Sequence, residues 1–479
     1  MMDMSVNREV TFLAILLLAA ALAAAVLTGT LPIVLVGLFI SLMIFSWRLD
    51  WGAYVLVALS PFTGLILDFS QYEFSRTIPF IRAIDAPWVD FFAMFLLAAV
   101  FVRLIVDWAR GVRDGKATQG ANYKIIFPGL VWYAPFFLSA VVSLRSTASE
   151  FFGTSVKFII RPILFFYLMF VSLPMMIIRT RTVAVNCLRV MYTTGLLGAL
   201  MGLASFFVVG GAGLWRRATP FYFFGFAPFG YNHNLLAEAL VAAAPIGMWF
   251  ARSAKDEIRR RWYFFGTFLI VLIALLTFAR TAWIALAVQG IIYWLTVPHG
   301  RLTADLRKKI ALAVVVLGVP FFMYMAAFSM SYIAAGSTST RADLTRIAIT
   351  YFKRSPWIGV GAGTFLPIVA ETRAYFLDYG DPLDAHGVVQ KLIAEQGLFG
   401  LVAFFIFVGW VISELVRTME KTRGHVFWSG LLPFLLMSVA SGFVYQLFNT
   451  SYYNSKLWIP VGVALAISML ARKETRGYE

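Results

Sequence analysis

Charged residues are scarce in this sequence of 479 residues, making up only 13% of the chain. Soluble domains carry about 25%. With 61% hydrophobic residues, the chain has too little polar surface to solvate a globule, so lipid must cover much of its outside. The composition excludes an ordinary soluble protein and predicts an integral membrane protein.

Cysteine is almost absent as well. The single Cys187 excludes an intramolecular disulfide and a cysteine-based metal site. Acidic residues are also few, 24 against 40 lysines and arginines, which gives a net charge of +16. In a membrane protein, basic loops on the cytoplasmic side explain such an excess better than nucleic-acid binding does.

Apolar runs long enough to cross a bilayer occur about fourteen times, or about twelve if the first runs are shorter hairpins. Arg8 before the first run is typical of a signal peptide, but a second run follows closely and favours a transmembrane helix. The predicted spans are roughly 10–29, 31–47, 52–68, 87–107, 125–143, 155–178, 183–209, 233–251, 262–279, 281–298, 310–329, 398–416, 426–446 and 457–471.

The loops between these runs predict the orientation. Five are rich in lysine and arginine, and strict alternation places them on the same face as both termini; they are Arg110–Lys124, Arg252–Arg261, Arg301–Lys309, Arg417–Arg423 and Arg472–Arg476. By the positive-inside rule this face is cytoplasmic. The sidedness of the charge excludes a nuclease or another nucleic-acid role.

A long loop on the opposite, periplasmic face divides the chain. We predict a transmembrane bundle over 1–329, a periplasmic loop over 330–397 and C-terminal transmembrane helices over 398–479. Gly336–Thr340 is a plausible helix entry, and the apolar spacing that begins at Leu344 predicts an amphipathic helix on the outer leaflet. The glycine-rich GVGAGTF that follows lacks the strand-turn-helix context of a nucleotide loop.

Basic residues on the periplasmic face oppose the positive-inside bias. Arg216 and Arg217 lie in one outer loop, Arg280 lies where two apolar runs meet, and Lys157 and Arg161 share a helix face at i and i+4. Snorkelling to lipid phosphate is the alternative for each. Ionisable groups buried in a bilayer usually mark a site, which favours Arg280 above the others.

His233 and His386 map to the same outer face, whereas His299 and His425 fall in cytoplasmic loops. Asp384 can cap a helix that holds His386 in its first turn. The free N–H groups and the helix dipole favour neutral imidazole, as a general base requires, while Asp384 opposes this. A histidine that only bonds loop carbonyls remains the alternative.

Carboxylates nearby suggest two other sites. Glu395 is a rival base, but nine residues along a helix it faces away from His386. Asp378, Asp381 and Asp384 suggest a metal site, yet a proline in the run and the absence of interleaved histidine favour a solvated turn.

Outer-face arginines beside a neutral histidine suit an anionic, lipid-tethered substrate. Guanidinium forks bind phosphate oxygens and neutralise the charge that develops on a diphosphate leaving group, without a metal. A nearby base takes the proton of an attacking sugar hydroxyl.

The chain resembles the O-antigen ligase and O-antigen polymerase superfamily of membrane glycosyltransferases. The ligase motif is H-[N/S/Q], nine residues, then G-x-x-G; here His386 is followed by Gly387, nine residues, Gly397 and Gly400. Gly387 departs from the usual side chain. Three further blocks are similar: RRATPFYFFGFAPFGYNHNLLAEAL, the segment around Arg280, and the block from Arg341 to Phe365.

The resemblance implies a GT-C-like, all-α integral membrane protein of about 12–14 helices in the bacterial inner membrane. It implies a glycan transfer at the periplasmic face from undecaprenyl diphosphate to lipid A core or a similar acceptor, inverting and without metal or cofactor. His386, Arg280 and Arg217 are the implied catalytic residues, with Arg217 slightly favoured over Arg216. The other candidate substrate-binding residues are Arg216, Arg161, Lys157, Arg341, His233 and Asn234.

Two alternatives remain open. A polymerase of the same superfamily uses the same donor-side arginines and extends the next lipid-linked repeat. A transporter or flippase for lipid-linked sugars predicts internal repeats and mid-bilayer charges, and the sequence shows no convincing repeat.

Overall fold

The computed structural model describes residues 44–68, 85–113, 125–209, 216–222, 227–297, 332–449 and 452–476, with isolated positions at 40, 42 and between 320 and 330. Its helices are α1 Leu49–Leu59, α2 Trp88–Arg113, α3 Leu130–Ser143, α4 Phe152–Phe158, α5 Leu173–Ile177, α6 Arg181–Val208, α7 His233–Ser253, α8 Glu257–Leu276, α9 Arg280–Thr296, α10 Tyr332–Arg354, α11 Phe365–Glu371, α12 Arg373–Tyr379, α13 Val388–Glu395, α14 Gly397–Lys421, α15 Val426–Gln446 and α16 Ser455–Arg476.

Shorter elements complete the described part of the chain. Strands β1 (Ile66–Asp68) and β2 (Asp85–Pro87) pair antiparallel, with Leu67 opposite Ala86. Two 3₁₀ turns span Leu144–Ser146 and Ser149–Phe151, and two π-helical segments span Ile159–Leu164 and Phe166–Ser172.

Seven helical stretches in the described residues are long and apolar enough to cross a membrane. They are Trp88–Ala109, Ser149–Ile177, Arg181–Val208, His233–Ser253, Gly397–Lys421, Val426–Gln446 and Ser455–Thr475. Each coincides with a predicted span, and the fold class, an all-α integral membrane protein, is confirmed.

Four further predicted spans are shorter or more polar helices. Leu49–Leu59 and Leu130–Ser146 are short apolar segments. Helix α8 carries three arginines near its start, and α9 has 17 residues. The predicted spans 10–29, most of 31–47 and most of 310–329 lie outside the described residues.

The bundle is built around α7, which packs on α6, α8, α9 and α15. A seam of small residues, among them Ala237, Ala279, Ala282 and Ala285, joins α7 to α9 and meets Tyr445 of α15. Because lipid gives no hydrophobic drive between helices, such seams allow the close backbone approach that holds a bundle together. The seam also brings the N-terminal ends of α7 and α9 to the same end of the bundle.

The segment from α10 to α13 has a separate apolar core. Leu344 and Ala348 of α10 pack with Phe365, Val369 and Tyr375. The helix predicted from this spacing is therefore present, but its predicted position on the outer leaflet is not supported, because its apolar face packs on α11 and α12. Its predicted entry at Gly336–Thr340 is wrong, because the helix already begins by Tyr332 and the Ser339 and Thr340 hydroxyls donate back to the Gly336 carbonyl within it.

Candidate active site

The N-terminal end of α7 forms one wall of the candidate site. Asn232 caps this helix, its side-chain oxygen accepting from the Asn234 backbone N–H at 2.9 Å, so His233 and Asn234 open the helix as predicted. Arg217 Nη1 lies 3.4 Å from His233 Nε2. The tertiary fold thus pairs two residues that lie sixteen positions apart.

The loop that carries Arg217 is tied to the neighbouring helices. The Ala218 N–H donates to the Leu276 carbonyl at 2.8 Å, and the Thr219 N–H donates to Ser205 Oγ at 3.1 Å. Leu276 ends α8, immediately before the turn that leads to Arg280. These bonds tie the Arg217 loop to α6 and to the end of α8, four residues before Arg280.

Arg280 is the first residue of α9, after a tight turn at Thr277, Phe278 and Ala279. Phe278 has a φ of 55°, and among the described residues no other non-glycine residue has a positive φ. The Thr277 hydroxyl accepts from the Ala279 N–H at 3.3 Å, which stabilises the turn. The positive φ of Phe278 lets the chain reverse direction between two packed helices, α8 and α9.

Arg341 of α10 lies near the starts of α7 and α9 and near the segment that carries His386. It lies within electrostatic range of Arg280, His233, His386 and Tyr445. Its Nε is buried and has no hydrogen-bond partner among the described residues. Burial and the neighbouring Arg280 lower the pKa of Arg341. An anion between the guanidinium groups would relieve both costs.

His386 lies half-buried on the segment before α13. Burial and the positive charge of Arg341 lower its pKa, and Asp384 opposes them. The lowered pKa favours the neutral imidazole, the form that a general base requires.

The predicted reason for this neutrality is wrong. Helix α13 begins at Val388, after His386, and Asp384 does not cap it. The Asp384 carboxylate instead accepts from the Lys391 ammonium at 2.5 Å and from the Ala385 N–H at 2.9 Å. A buried lysine needs a counter-charge, and this requirement overrides the capping pattern.

Glu395 is held away from the site by buried contacts and not by the expected helical rotation, because His386 lies before the start of α13. It is completely buried, with Oε1 accepting from the Phe365 N–H at 3.1 Å and lying 3.7 Å from Lys391 Nζ. Burial raises its pKa to about 7. Asp378 and Asp381 are exposed, as the solvated-turn interpretation predicts.

Steric contacts explain why the motif has glycine at positions 397 and 400. Gly397 has a φ of 65°, and a Cβ there would lie 2.4 Å from the Trp357 carbonyl carbon. A Cβ on Gly400 would lie 2.3 Å from Cβ of Gln396. The two glycines let α14 start against the glycine-rich turn, whose Val360 and Gly361 N–H groups donate to the last carbonyls of α13.

Three predicted residues lie elsewhere. Arg216 donates to the Val209 carbonyl at 2.8 Å, which leaves Arg217 as the member of the pair that contacts His233. Arg161 lies 3.7 Å from Asp90. Lys157 is exposed on α4, and the helix widens to a π-helix between it and Arg161, which weakens the shared-face argument.

Buried polar residues behind α7 were not predicted. The Tyr445 hydroxyl donates to the Asn234 carbonyl at 2.6 Å, and the Gln446 amide donates to Glu238 at 2.5 Å. Lys456 donates to the Leu235 carbonyl at 3.3 Å. The available signal was the presence of Glu238 and Lys456 within apolar runs, because intramembrane ionisable residues are rare.

The candidate site contains three arginines and two histidines: Arg217, Arg280, Arg341, His233 and His386. Among the described residues no group of three or more His, Cys, Asp or Glu side chains is placed to hold a metal ion.

The family model for O-antigen ligase matches residues 265–405. Over these residues the chain is similar to the O-antigen ligase family. No curated protein matches the chain.

The O-antigen ligase segment includes Arg280, Arg341, His386 and both motif glycines. Arg217, His233 and Asn234 lie before it, and the Arg217–His233 contact and the charge of Arg341 near His233 connect them to the site. The match implies a membrane glycosyltransferase-like enzyme of the ligase or polymerase type, with lipid-linked glycans as the substrate class.

Proposed function

We propose that the protein transfers a glycan from undecaprenyl diphosphate to an acceptor at the periplasmic face of the bacterial inner membrane, as an O-antigen ligase. The single observation that carries this proposal is the position of Arg341, which lies within electrostatic range of Arg280, of His386 and of His233, the contact partner of Arg217. The acceptor is lipid A core or a similar glycolipid.

The three arginines would bind the diphosphate. Two of them lie in mutual electrostatic range, and Arg341 has a buried N–H that no described residue accepts. A bidentate guanidinium–phosphate contact satisfies that donor and neutralises the leaving group. His233 and Asn234 line the pocket beside Arg217.

His386 would act as the base. The acceptor hydroxyl oxygen attacks the anomeric carbon, its proton passes to His386, and the bond from that carbon to the diphosphate oxygen breaks. The electron pair leaves with undecaprenyl diphosphate, held by the arginines, and the configuration at the anomeric carbon inverts. These residues supply each role without a metal.

The orientation of the basic loops supports the periplasmic assignment. Arg259, Arg260 and Arg261 begin α8, at the opposite end of that helix from the Arg280 turn. The positive-inside rule favours a cytoplasmic location for the end with Arg259–Arg261, which supports a periplasmic location for the site. Both termini would then be cytoplasmic, and residues 330–397 would be periplasmic.

The proposal is tested by transfer in liposomes, with lipid-linked donor and lipid A core extracted from host cells that lack the protein. Arg280→Ala and His386→Ala should each lower the rate by about 100-fold or more. Arg346→Ala, which removes an exposed arginine of α10, serves as the control and should leave the rate within about twofold.

Near-wild-type transfer by both site variants would refute the assignment. The products separate the two reactions of the superfamily. A discrete product that requires lipid A core supports a ligase, whereas a ladder formed from donor alone assigns the protein as a polymerase.

A further inference from the structure

Gly387 occupies the position where the ligase motif carries Asn, Ser or Gln. Its φ of 178° is extended backbone, which any residue adopts, so the conformation does not require glycine. The restriction is space. A Cβ on Gly387 would lie 2.1 Å from Gln390 Oε1 and 2.6 Å from the Leu447 carbonyl oxygen.

The space beside Gly387 is therefore filled by the side chain of Gln390, three residues later in the first turn of α13. Its Oε1 is buried and has no hydrogen-bond partner among the described residues. An unpaired buried amide oxygen is costly, so native structures supply such a group with a partner: another protein group, an ordered water, an ion or a bound ligand.

The location of this oxygen points to the active site. Gly387 directly follows His386, and Leu447 directly follows α15, whose Tyr445 lies near Arg341 and donates to Asn234. The Gln390 amide thus lies between the His386 segment and the end of α15, the two elements that border the site.

We propose that Gln390 supplies the polar side chain that Gly387 lacks, and that its Oε1 accepts a hydrogen bond from a hydroxyl of the acceptor sugar. This contact orients the acceptor next to His386, which removes the proton of the attacking hydroxyl. The inference rests on the proposed transfer reaction. Gln390 binds and orients; it takes no proton itself.

The test uses the full-length protein in liposomes with the donor and lipid A core described above. Gln390→Met keeps the size of the side chain and removes the amide, and Gln390→Glu keeps an acceptor oxygen. Ile393→Met, on the same helix and half-buried, is the matched control.

We expect Gln390→Met to lower kcat/KM for lipid A core by about tenfold or more, the effect of one lost hydrogen bond to substrate. The KM for the donor should change by less than about twofold, because the arginines hold the diphosphate. Gln390→Glu should remain at least about fivefold more active than Gln390→Met, because an oxygen acceptor is retained.

Three results would overturn the inference: a Gln390→Met rate within twofold of wild type, equal effects on donor and acceptor KM, or equal losses in the Met and Glu variants. Thermal unfolding in detergent identifies a general folding defect, in which case Gln390→Glu alone decides through its acceptor KM. If His386→Ala and Arg280→Ala abolish transfer while Gln390→Met does not, the proposed function stands and only the role of Gln390 is wrong.

Discussion

At the scale of single residues, the protonation state of His386 controls the proposed chemistry. Burial and Arg341 lower its pKa, and Asp384 raises it. A base whose pKa lies below the ordinary value of about 6.5 stays active at neutral pH and loses activity only in more acidic solution. Arg341 would therefore have two roles, as a phosphate ligand and as the charge that keeps the imidazole neutral.

The pH dependence of transfer tests the direction of the pKa shift of His386. In the wild type, the acid limb of kcat/KM should have its midpoint below about 6.5. Arg341→Gln removes the charge that lowers the pKa of His386, so the midpoint should move to higher pH, together with a lower plateau. Transfer rates measured from pH 5 to 8 decide the matter. A midpoint that stays fixed or moves to lower pH contradicts the coupling.

At the scale of elements, a buried ion pair fastens α13 in place. Lys391 has 3% of its side chain exposed and lies 2.5 Å from Asp384 and 3.7 Å from Glu395. It also lies over the rings of Phe158 and Tyr453. Burial opposes the charge on Lys391, but the two carboxylates keep its pKa above the ordinary lysine value. The segment before α13 that carries His386 is thereby held to the bundle.

Removing this cation should loosen the segment. Lys391→Met leaves two carboxylates without their cation and should destabilise the fold by about 3 kcal/mol. Lys391→Arg keeps the charge and should cost less. Arg346→Met breaks the exposed Arg346–Asp343 pair and should cost under about 1 kcal/mol. Thermal midpoints in detergent provide the comparison, and equal losses for the Lys391→Met and Arg346→Met variants would show that the buried pair is unimportant.

At the scale of the whole molecule, the proposed function requires a defined orientation in the membrane. The native Cys187 is completely buried and lies within a span. Replacing it with serine gives a background in which single cysteines report which face of the membrane each position occupies. Asp381 lies on the segment before His386, and Arg259 lies at the basic start of α8; both are exposed.

Asp381→Cys should react with a membrane-impermeant maleimide added to spheroplasts, whereas Arg259→Cys should react only after the membrane is permeabilised. The protein with Cys187 alone should remain unlabelled, because the thiol is buried. The reverse pattern would place the site in the cytoplasm and exclude a periplasmic transfer.

The sequence by itself determined the helical membrane scaffold, because apolar runs of span length can be satisfied in lipid only as helices. It also predicted Arg280, Arg341 and His386 as candidate site residues, since each lies in a block of residues with recognisable spacing. The rotation argument that separated Glu395 from His386 does not apply, because α13 begins only after His386.

Only the tertiary structure decided which of these residues meet. The Arg217–His233 contact depends on bonds from the Arg217 loop to α6 and α8, and the meeting of Arg280 with Arg341 depends on packing between distant segments. The capture of Asp384 by Lys391 and the filling of the Gly387 space by Gln390 overrode local patterns. Helix formation is set by neighbours in sequence, whereas the partner of a buried polar group is set by whatever the fold brings within hydrogen-bonding distance.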